Sequence, residues 1–381
     1  MNTAQHALVL NLHQPPGNLE DLWAHSTWAA KEILYAMDRI PRSLWGYEDV
    51  ARVHLSLSGT LLETLKSQDF QERVYGTVKC GDLLWQLQNQ RIIDILGTGH
   101  YHPVLPLIPA EDWAEQLGRW RGTAEHLFGR SAFEGFWPPE MGFDMAMIPV
   151  LKRMGYRYVL VDSEHVEPLE PMRWDQLRYQ PHTAEFEGES IVVIVRDRDL
   201  SDAQESGMDV AWFEREVGAR TRFCDFVPLV TTATDGDNGG WFRNTTAGSN
   251  FWSAFYLPWA QRMRSGESNV RSTFIGDYLN THGVGGPVRV RTGAWNTGWH
   301  HGRDFQQWTG SEAQRYALDR VRHLSRAVAN LRMSGHAPDR LEPAYYRLLR
   351  AQTSCNFFWG EAWVDRAHAD LNDVERALAE L

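Results

Sequence analysis

The chain has 381 residues, of which 43% are hydrophobic, and a formal net charge of −11 at pH 7. This length suits one α/β barrel with an appendage, or two to three average domains. The acidic balance and the lack of any Lys/Arg run argue against nucleic acid and anionic membrane surfaces as partners. No apolar run approaches the eighteen residues that a membrane span requires.

Short apolar runs alternate with helical patterns through the first 235 residues. We predict seven strands, at residues 6–12, 52–57, 92–96, 132–137, 156–161, 191–195 and 226–232. Helical patterns fall between them, for example at 110–128 and at 146–154. Such alternation indicates parallel βα units, and the unbroken apolar run 191–195 fits a sheet that is covered on both faces. The sequence therefore predicts an α/β fold, a distorted TIM-like (β/α)7 barrel over residues 1–264, with an open doubly wound sheet as the alternative.

Polar side chains follow five of the seven predicted strands. In chain order they are His13 with Gln14, His100 with His102, Glu140, Arg196 with Asp197, and Asp235 with Asp237. Barrel enzymes carry their active sites at the carboxyl ends of the strands, on the βα loops. Each of these residues alone has a structural explanation, as a helix cap or an ion-pair partner. Their shared placement predicts instead that they meet at one mouth of the barrel.

Glu140 stands out among these residues. It follows an apolar and aromatic run that ends in Pro138 and Pro139, and prolines cannot continue a strand ladder. Glu140 is thus the first ionisable side chain beyond the strand, in aromatic surroundings that exclude water.

The composition changes after the predicted barrel. Residues 265–309 are rich in Gly, Trp and His, and a long helix begins at Ser311 with a capping box that includes Gln314. Two further helices are predicted at 338–352 and 361–381. We therefore expect residues 265–381 to form a Trp/Gly-rich segment and a C-terminal helical domain packed on the barrel.

Three chemistries fit these residues. Glycosidic bond cleavage needs two carboxylates, which Glu140 and Asp235 supply, while several of the 17 tryptophans offer faces for sugar rings. A metal-dependent hydrolase or deacetylase would use ligands chosen from His13, His100, His102, His300, His301, Asp235 and Asp237. The sequence has no HExxH motif and no paired CxxC motif, so this signal is weak. A non-catalytic sugar-binding protein is the third alternative.

Four ordered motifs resemble those of glycoside hydrolase family 57, whose members are retaining enzymes that act on α-glucans. They lie at residues 12–16 (LHQPP), 96–103 (LGTGHYHP), 136–140 (FWPPE) and 234–238 (TDGDN), and segments 196–202 and 293–295 are also similar to the family. The resemblance implies a seven-stranded barrel and a helical part that helps to wall the active site. It also implies that Glu140 is the nucleophile and Asp235 the acid/base.

The resemblance and the pattern together give a set of expected substrate-binding residues: His13, Gln14, His100, His102, Trp137, Arg196, Asp237, Trp295, Trp299 and Trp359. We expect no metal and no cofactor, and an oligo- or polysaccharide as the substrate. Cys80, Cys224 and Cys355 are odd in number and far apart, and no secretory leader precedes the first apolar run. These features predict reduced thiols and a cytoplasmic location.

The chain departs from the family pattern at two motifs. Asp237 stands where the fourth motif usually has glutamate, and the fifth motif offers Cys355 or Asn356 in place of a common aspartate. These departures affect the expected substrate subsites more than the catalytic pair. Hydrolysis, glucan transfer and branching share one double displacement, and the motifs do not distinguish between them.

Overall fold

The computed structural model describes residues 3–295, 297 and 305–380. Within them, eleven strands are assigned: β1 (Ala4–Leu12), β2 (Val53–Leu57), β3 (Ile93–Leu96), β4 (Gly135–Phe136), β5 (Tyr158–Asp162), β6 (Val166–Pro168), β7 (His182–Phe186), β8 (Glu189–Arg196), β9 (Leu229–Asp235), β10 (Val270–Ser272) and β11 (Val288–Val290).

Seven parallel strands form a nearly closed barrel in the order β3-β2-β1-β9-β8-β5-β4. The two end strands meet at Gly97, whose N–H donates to the Gly135 carbonyl at 2.9 Å and whose carbonyl accepts from the Trp137 N–H at 2.7 Å. Between β8 and β9 the register contains the single pair Arg196–Thr231, which makes this a weak seam of the barrel. The predicted seven-stranded barrel is confirmed, and the open sheet is not.

Successive residues of the barrel strands point alternately outward and inward. In β1, Leu8 and Leu10 pack outward in the cluster beneath the outer helices, whereas Ala7 and Val9 pack in the barrel interior. Glycine is required where the strand ends meet. A Cβ on Gly97 would lie 2.2 Å from the hydroxyl oxygen of Tyr156, so a larger residue would displace that buried ring.

Four short strands were not predicted. β10 pairs in parallel with β1, β7 pairs antiparallel with β8, and β6 and β11 form a separate two-stranded sheet. Three of the four have only three residues, and β7 is a polar edge strand, so none carries a clear periodic signal. Because β10 extends the barrel sheet from beyond residue 264, the domain boundary at that point stays a prediction.

The α-helices of the described residues are α1 (Asn18–His25), α2 (Thr27–Leu44), α3 (Gly59–Lys66), α4 (Gln68–Val74), α5 (Cys80–Asn89), α6 (Trp113–Phe128), α7 (Ile148–Arg153), α8 (Trp174–Tyr179), α9 (Arg198–Ser206), α10 (Val210–Thr221), α11 (Gly240–Arg243), α12 (Leu257–Ser265), α13 (Ile275–His282), α14 (Gln306–Thr309), α15 (Glu312–Met333), α16 (Pro338–Ala351), α17 (Cys355–Phe358) and α18 (Glu361–Ala379). None of them is both long enough and apolar enough to cross a membrane.

The C-terminal helices α15, α16 and α18 pack around their own apolar cluster, which includes Val321, Leu348 and Leu371. The capping box at Ser311 and Gln314 is present, as predicted. Tyr101 and Val104, from the loop after β3, join the same cluster. This packing places the helical region beside the carboxyl ends of the barrel strands, where the polar residues collect.

Candidate active site

A cavity of about 680 Å³ opens where the barrel strands end. The βα loops form most of its wall, and the segment from α17 into α18 contributes Cys355, Phe358, Trp359 and Trp363. The predicted residues that line it are His13, Gln14, His102, Glu140, Arg196, Asp235, Asp237, Trp295 and Trp359. The structure thus brings both predicted carboxylates and most of the predicted binding residues to one cavity.

Glu140 has a strained backbone, and both oxygens of its carboxylate accept hydrogen bonds. Its backbone has φ of 56°, a left-handed conformation that non-glycine residues rarely adopt. Its Oε2 accepts from Trp295 Nε1 at 2.9 Å and its Oε1 accepts from Ser354 Oγ at 2.7 Å. Burial raises the pKa of Glu140, and the two donors oppose that rise because they favour the carboxylate.

Asp235 ends β9, and its surroundings favour the protonated acid. Asn11, at the end of the adjacent β1, donates to Asp235 Oδ1 at 3.0 Å. Burial raises the pKa of Asp235 well above its ordinary value, and the charges of Asp237 and Glu140 raise it further. The two predicted catalytic carboxyls therefore differ, since Glu140 has two donors, whereas Asp235 has one donor and three acidic neighbours.

Asp237 is bound to the loop after β1. Gln14 Nε2 donates to Asp237 Oδ2 at 2.9 Å, and Gln14 Oε1 in turn accepts from Asn18 at 2.8 Å. Burial raises the pKa of Asp237 to about 6, although the bond from Gln14 lowers it. Gly236 lets this loop cross β1, because a Cβ there would lie 2.9 Å from the Cβ of Leu10.

Two histidine rings stack beside Glu140. The ring centres of His13 and His102 lie 3.9 Å apart, and the planes of the two rings differ by 8°. His13 Nδ1 hydrogen-bonds Ser58 Oγ at 2.9 Å, and His102 Nδ1 hydrogen-bonds Ser354 Oγ at 3.3 Å. Burial lowers the pKa of His102 to about 3 and lowers that of His13 well below 6.5, with His102 adding to the latter effect. Both rings are therefore neutral hydrogen-bonding groups near pH 7.

Arg196 is largely engaged by the protein itself. Its Nη1 donates to Asp162 at 2.7 Å and its Nε to the Ala233 carbonyl at 2.8 Å. Its guanidinium carbon lies 5.9 Å from the centre of the Trp295 ring. Arg196 thus ties the end of β8 to β5 and β9, next to the weak seam, and supports Trp295.

The model of glycosyl hydrolase family 57 matches residues 20–261, well over half of the chain. The chain belongs to this family. It is 28% identical over 193 residues to an α-amylase of Pyrococcus horikoshii, and 28% identical over 198 residues to a 4-α-glucanotransferase of Thermococcus litoralis. Each match covers 49% of this chain, but only 27% and 26% of those relatives.

Solved structures of the family share the fold. The Thermococcus litoralis 4-α-glucanotransferase superposes with a TM-score of 0.74 at 18% identity, covering 100% of this chain and 60% of that one. The branching enzyme of Pyrococcus horikoshii superposes with a TM-score of 0.72 at 15% identity, covering 99% and 88%. At such identities the likeness establishes the architecture alone.

Two residues expected at the substrate do not reach the cavity of this family 57 chain. His100 packs against α3, where a Cβ on Gly59 would lie 2.1 Å from its ring, and its Nε2 is 3.3 Å from Glu63. Trp137 is fully buried and contacts Trp295 edge to face at 5.5 Å. The geometry gives both a supporting position and does not favour direct substrate contact.

The other tryptophans that were expected to contact the substrate differ in solvent exposure. Trp359 is 54% exposed at the cavity rim, and Trp295 is half-buried in the cavity wall. Trp299, with His300 and His301, lies outside the described residues.

The structure adds residues that the sequence reasoning missed. Asn11 contacts Asp235, and its position as a polar residue in the apolar run of β1 was a usable signal. Ser354 lies 214 positions from Glu140 in the chain, so no local pattern reveals their contact. Of the two candidates in the fifth motif, Cys355 lines the cavity, whereas Asn356 is buried and donates to the Ala351 carbonyl.

The described residues contain no group of three or more His, Cys, Asp or Glu side chains placed to hold a metal ion. In the cavity wall, the Nε2 atom of the His13 ring lies 3.6 Å from Cys355 Sγ. This ring stacks on His102, so the two histidines do not converge on a common point.

Proposed function

We propose that this protein is a retaining glycosidase or transglycosylase that acts on α-linked glucans or gluco-oligosaccharides. Glu140 is the nucleophile and Asp235 is the acid/base. The observation that carries the proposal is the pair of unequal carboxyls in one cavity. When neighbouring carboxyl groups have environments that separate their pKa values, one is suited to be ionised and the other to hold a proton.

The roles follow from the contacts. Trp295 and Ser354 donate to Glu140 and so favour the anion that must attack the anomeric carbon. Asp235 lies among acidic neighbours that favour its protonated form, which suits a group that must give a proton to the leaving oxygen. The opposite assignment would place the proton on Glu140, which has two hydrogen-bond donors, and the negative charge on Asp235, whose acidic neighbours repel it.

The reaction then has two steps. In the first, a Glu140 oxygen forms a bond to the anomeric carbon while the glycosidic bond breaks and the leaving oxygen takes the proton of Asp235. In the second, an acceptor hydroxyl gives its proton to Asp235 and attacks the same carbon, which releases Glu140. Water as acceptor gives hydrolysis, and a sugar hydroxyl gives transfer. Retention predicts roughly 5–5.5 Å between the two carboxyl groups.

Other groups fit supporting roles. Neutral His13 and His102 are placed to hydrogen-bond sugar hydroxyls, and Trp359 offers an exposed face for a sugar ring. The relatives named α-amylase and 4-α-glucanotransferase support an α-glucan as substrate. The three free thiols support a reducing, cytoplasmic location.

Product analysis tests the proposal. The protein is incubated with maltoheptaose, and the products are separated by chromatography while proton NMR follows the new anomeric signals. We expect either shorter sugars or redistributed chain lengths, with the α-anomer formed first. Glu140→Gln should abolish both changes. If the β-anomer forms first, a double displacement is contradicted. If neither maltoheptaose nor any other α-linked glucan tested is changed, the proposed function is contradicted.

A further inference from the structure

A second groove lies next to the catalytic cavity, on the same face of the barrel. It has a volume of about 690 Å³ and lies between the end of α9, the start of α10, and α11. α9 follows β8 and α11 follows β9, so two of the three bounding helices belong to βα connections, which begin at the active-site end of a barrel. The groove is therefore formed beside the weak seam of the barrel.

The groove adjoins the catalytic cavity. Ser206, the last residue of α9, lines both of them. The short helix α11 separates the two along its length, because Arg243 faces the catalytic cavity while Trp241 faces the groove. Ser206 is thus the point at which the two cavities come closest together in their lining.

Two tryptophans give the groove flat and firmly held walls. Trp212 and Trp241 are half-buried, and both pack against the main hydrophobic core. Trp241 contacts Phe251 edge to face at 5.4 Å, which fixes the plane of its ring. The side chain of Asp209 accepts from the backbone N–H of Trp212 at 2.8 Å and caps the start of α10. Partly exposed rings that are held by packing suit stacking against the apolar faces of sugars.

We propose that this groove is a distal binding site for the same α-glucan chain whose reacting end lies in the catalytic cavity. Trp212 and Trp241 stack on glucose units beyond Ser206. The exposed carboxylate of Asp209 accepts hydrogen bonds from the hydroxyls of these glucose units. This proposal rests on the proposed function, and it predicts a preference for long substrates that the catalytic pair alone does not give.

The test compares long and short substrates. Trp212→Ala and Trp241→Ala should each lower kcat/KM for maltoheptaose about 2- to 10-fold, the range expected for one stacking contact. Both should leave kcat/KM for α-glucosyl fluoride unchanged, because that substrate fills only the catalytic cavity. Trp212→Phe and Trp241→Phe should restore most of the loss. Trp85→Ala, which removes an exposed tryptophan from α5, outside both cavities, is the matched control.

Binding is measured separately, by electrophoresis through gels that contain soluble starch. The wild type and the Trp85→Ala variant should be retarded, and the Trp212→Ala/Trp241→Ala double variant should run faster. Equal losses on both substrates, or no change in either assay, would overturn the groove proposal. If the wild type cleaves neither substrate, the proposed function fails, and the starch gels alone decide whether the groove binds glucan.

Discussion

Ser354 Oγ donates a hydrogen bond to Glu140 Oε1 at 2.7 Å and links the helical region to the loop after β4. The same hydroxyl lies 3.3 Å from His102 Nδ1, so one serine joins two residues of the cavity. Ser354 directly precedes α17, and the packing of α17 against α18 therefore sets where this hydroxyl lies. The ionisation of Glu140 thus depends on a part of the chain outside the barrel.

Ser354→Ala should raise the pKa of Glu140, because the carboxylate loses one of its two donors. The acidic limb of the kcat/KM profile should move to higher pH, and kcat/KM at pH 6 should fall about 10-fold or more, as expected for a lost bond to a charged group. The measurement is kcat/KM against pH with maltoheptaose. Ser334→Ala, which removes a hydroxyl from the exposed end of α15, should leave the profile unchanged.

Removal of metal ions should leave activity unchanged. The proposed double displacement uses no Lewis acid, and the Nδ1 atoms of His13 and His102 are engaged by Ser58 and Ser354. The protein is dialysed against EDTA, and the rate on maltoheptaose is compared with that of an undialysed sample. A loss that zinc restores would favour the metal-dependent hydrolase that the sequence left as an alternative.

Asp237→Asn should stabilise the protein above pH 6. Burial raises the pKa of Asp237 from 3.8 to about 6, so the folded state carries an unfavourable charge at neutral pH. This cost is fully present above about pH 6, shrinks as pH falls, and is lost below 3.8. Asparagine keeps an acceptor for Gln14 and removes the charge, so we expect a gain of about 1–3 kcal/mol in the free energy of unfolding at pH 8.

Urea unfolding at pH 8, 6 and 4 checks this expectation. The gain should decrease in that order, and it should nearly vanish at pH 4. Asp69→Asn, at an exposed carboxylate, should give no comparable trend. A gain that is constant with pH would show that the charge of Asp237 is not the cause.

The fold was largely predictable from the sequence because the seven barrel strands are buried on both faces. Continuous apolar runs such as residues 191–195 carry a strong signal, and β8 (Glu189–Arg196) extends only one to two residues beyond that run. The short edge strand β10 carries no such signal, since it has three residues and two of them are polar.

The site was predictable to the extent that it is local. Asp235 ends β9 and Glu140 lies shortly after β4, and the barrel topology brings them to one cavity. The contacts that tune them come from elsewhere, as with Ser354, and depend on packing that no local pattern encodes. His100 shows that a position within a motif does not by itself predict where a side chain points, because this residue turns away from the cavity and packs against α3.

The last prediction separates the two acidic residues of the loop after β9. Asp235→Ala should nearly abolish cleavage of maltoheptaose, because its leaving oxygen needs a proton and general-acid help is worth about 10²–10⁴-fold in rate. It should largely spare attack on α-glucosyl fluoride, whose leaving group needs no proton.

Added azide should then speed turnover of that variant and give a glucosyl azide, because azide needs no deprotonation and fits the space left by the carboxylate. Asp237→Ala is the matched control. Asp237 contacts Gln14 and lies within the cavity wall, so its loss should weaken both substrates to similar extents without azide rescue. The measurements are rates on both substrates with and without azide, and mass spectrometry of the products. Rescue of Asp237→Ala in place of Asp235→Ala would reverse the two roles, because the carboxylate whose loss azide repairs is the one that activates the acceptor.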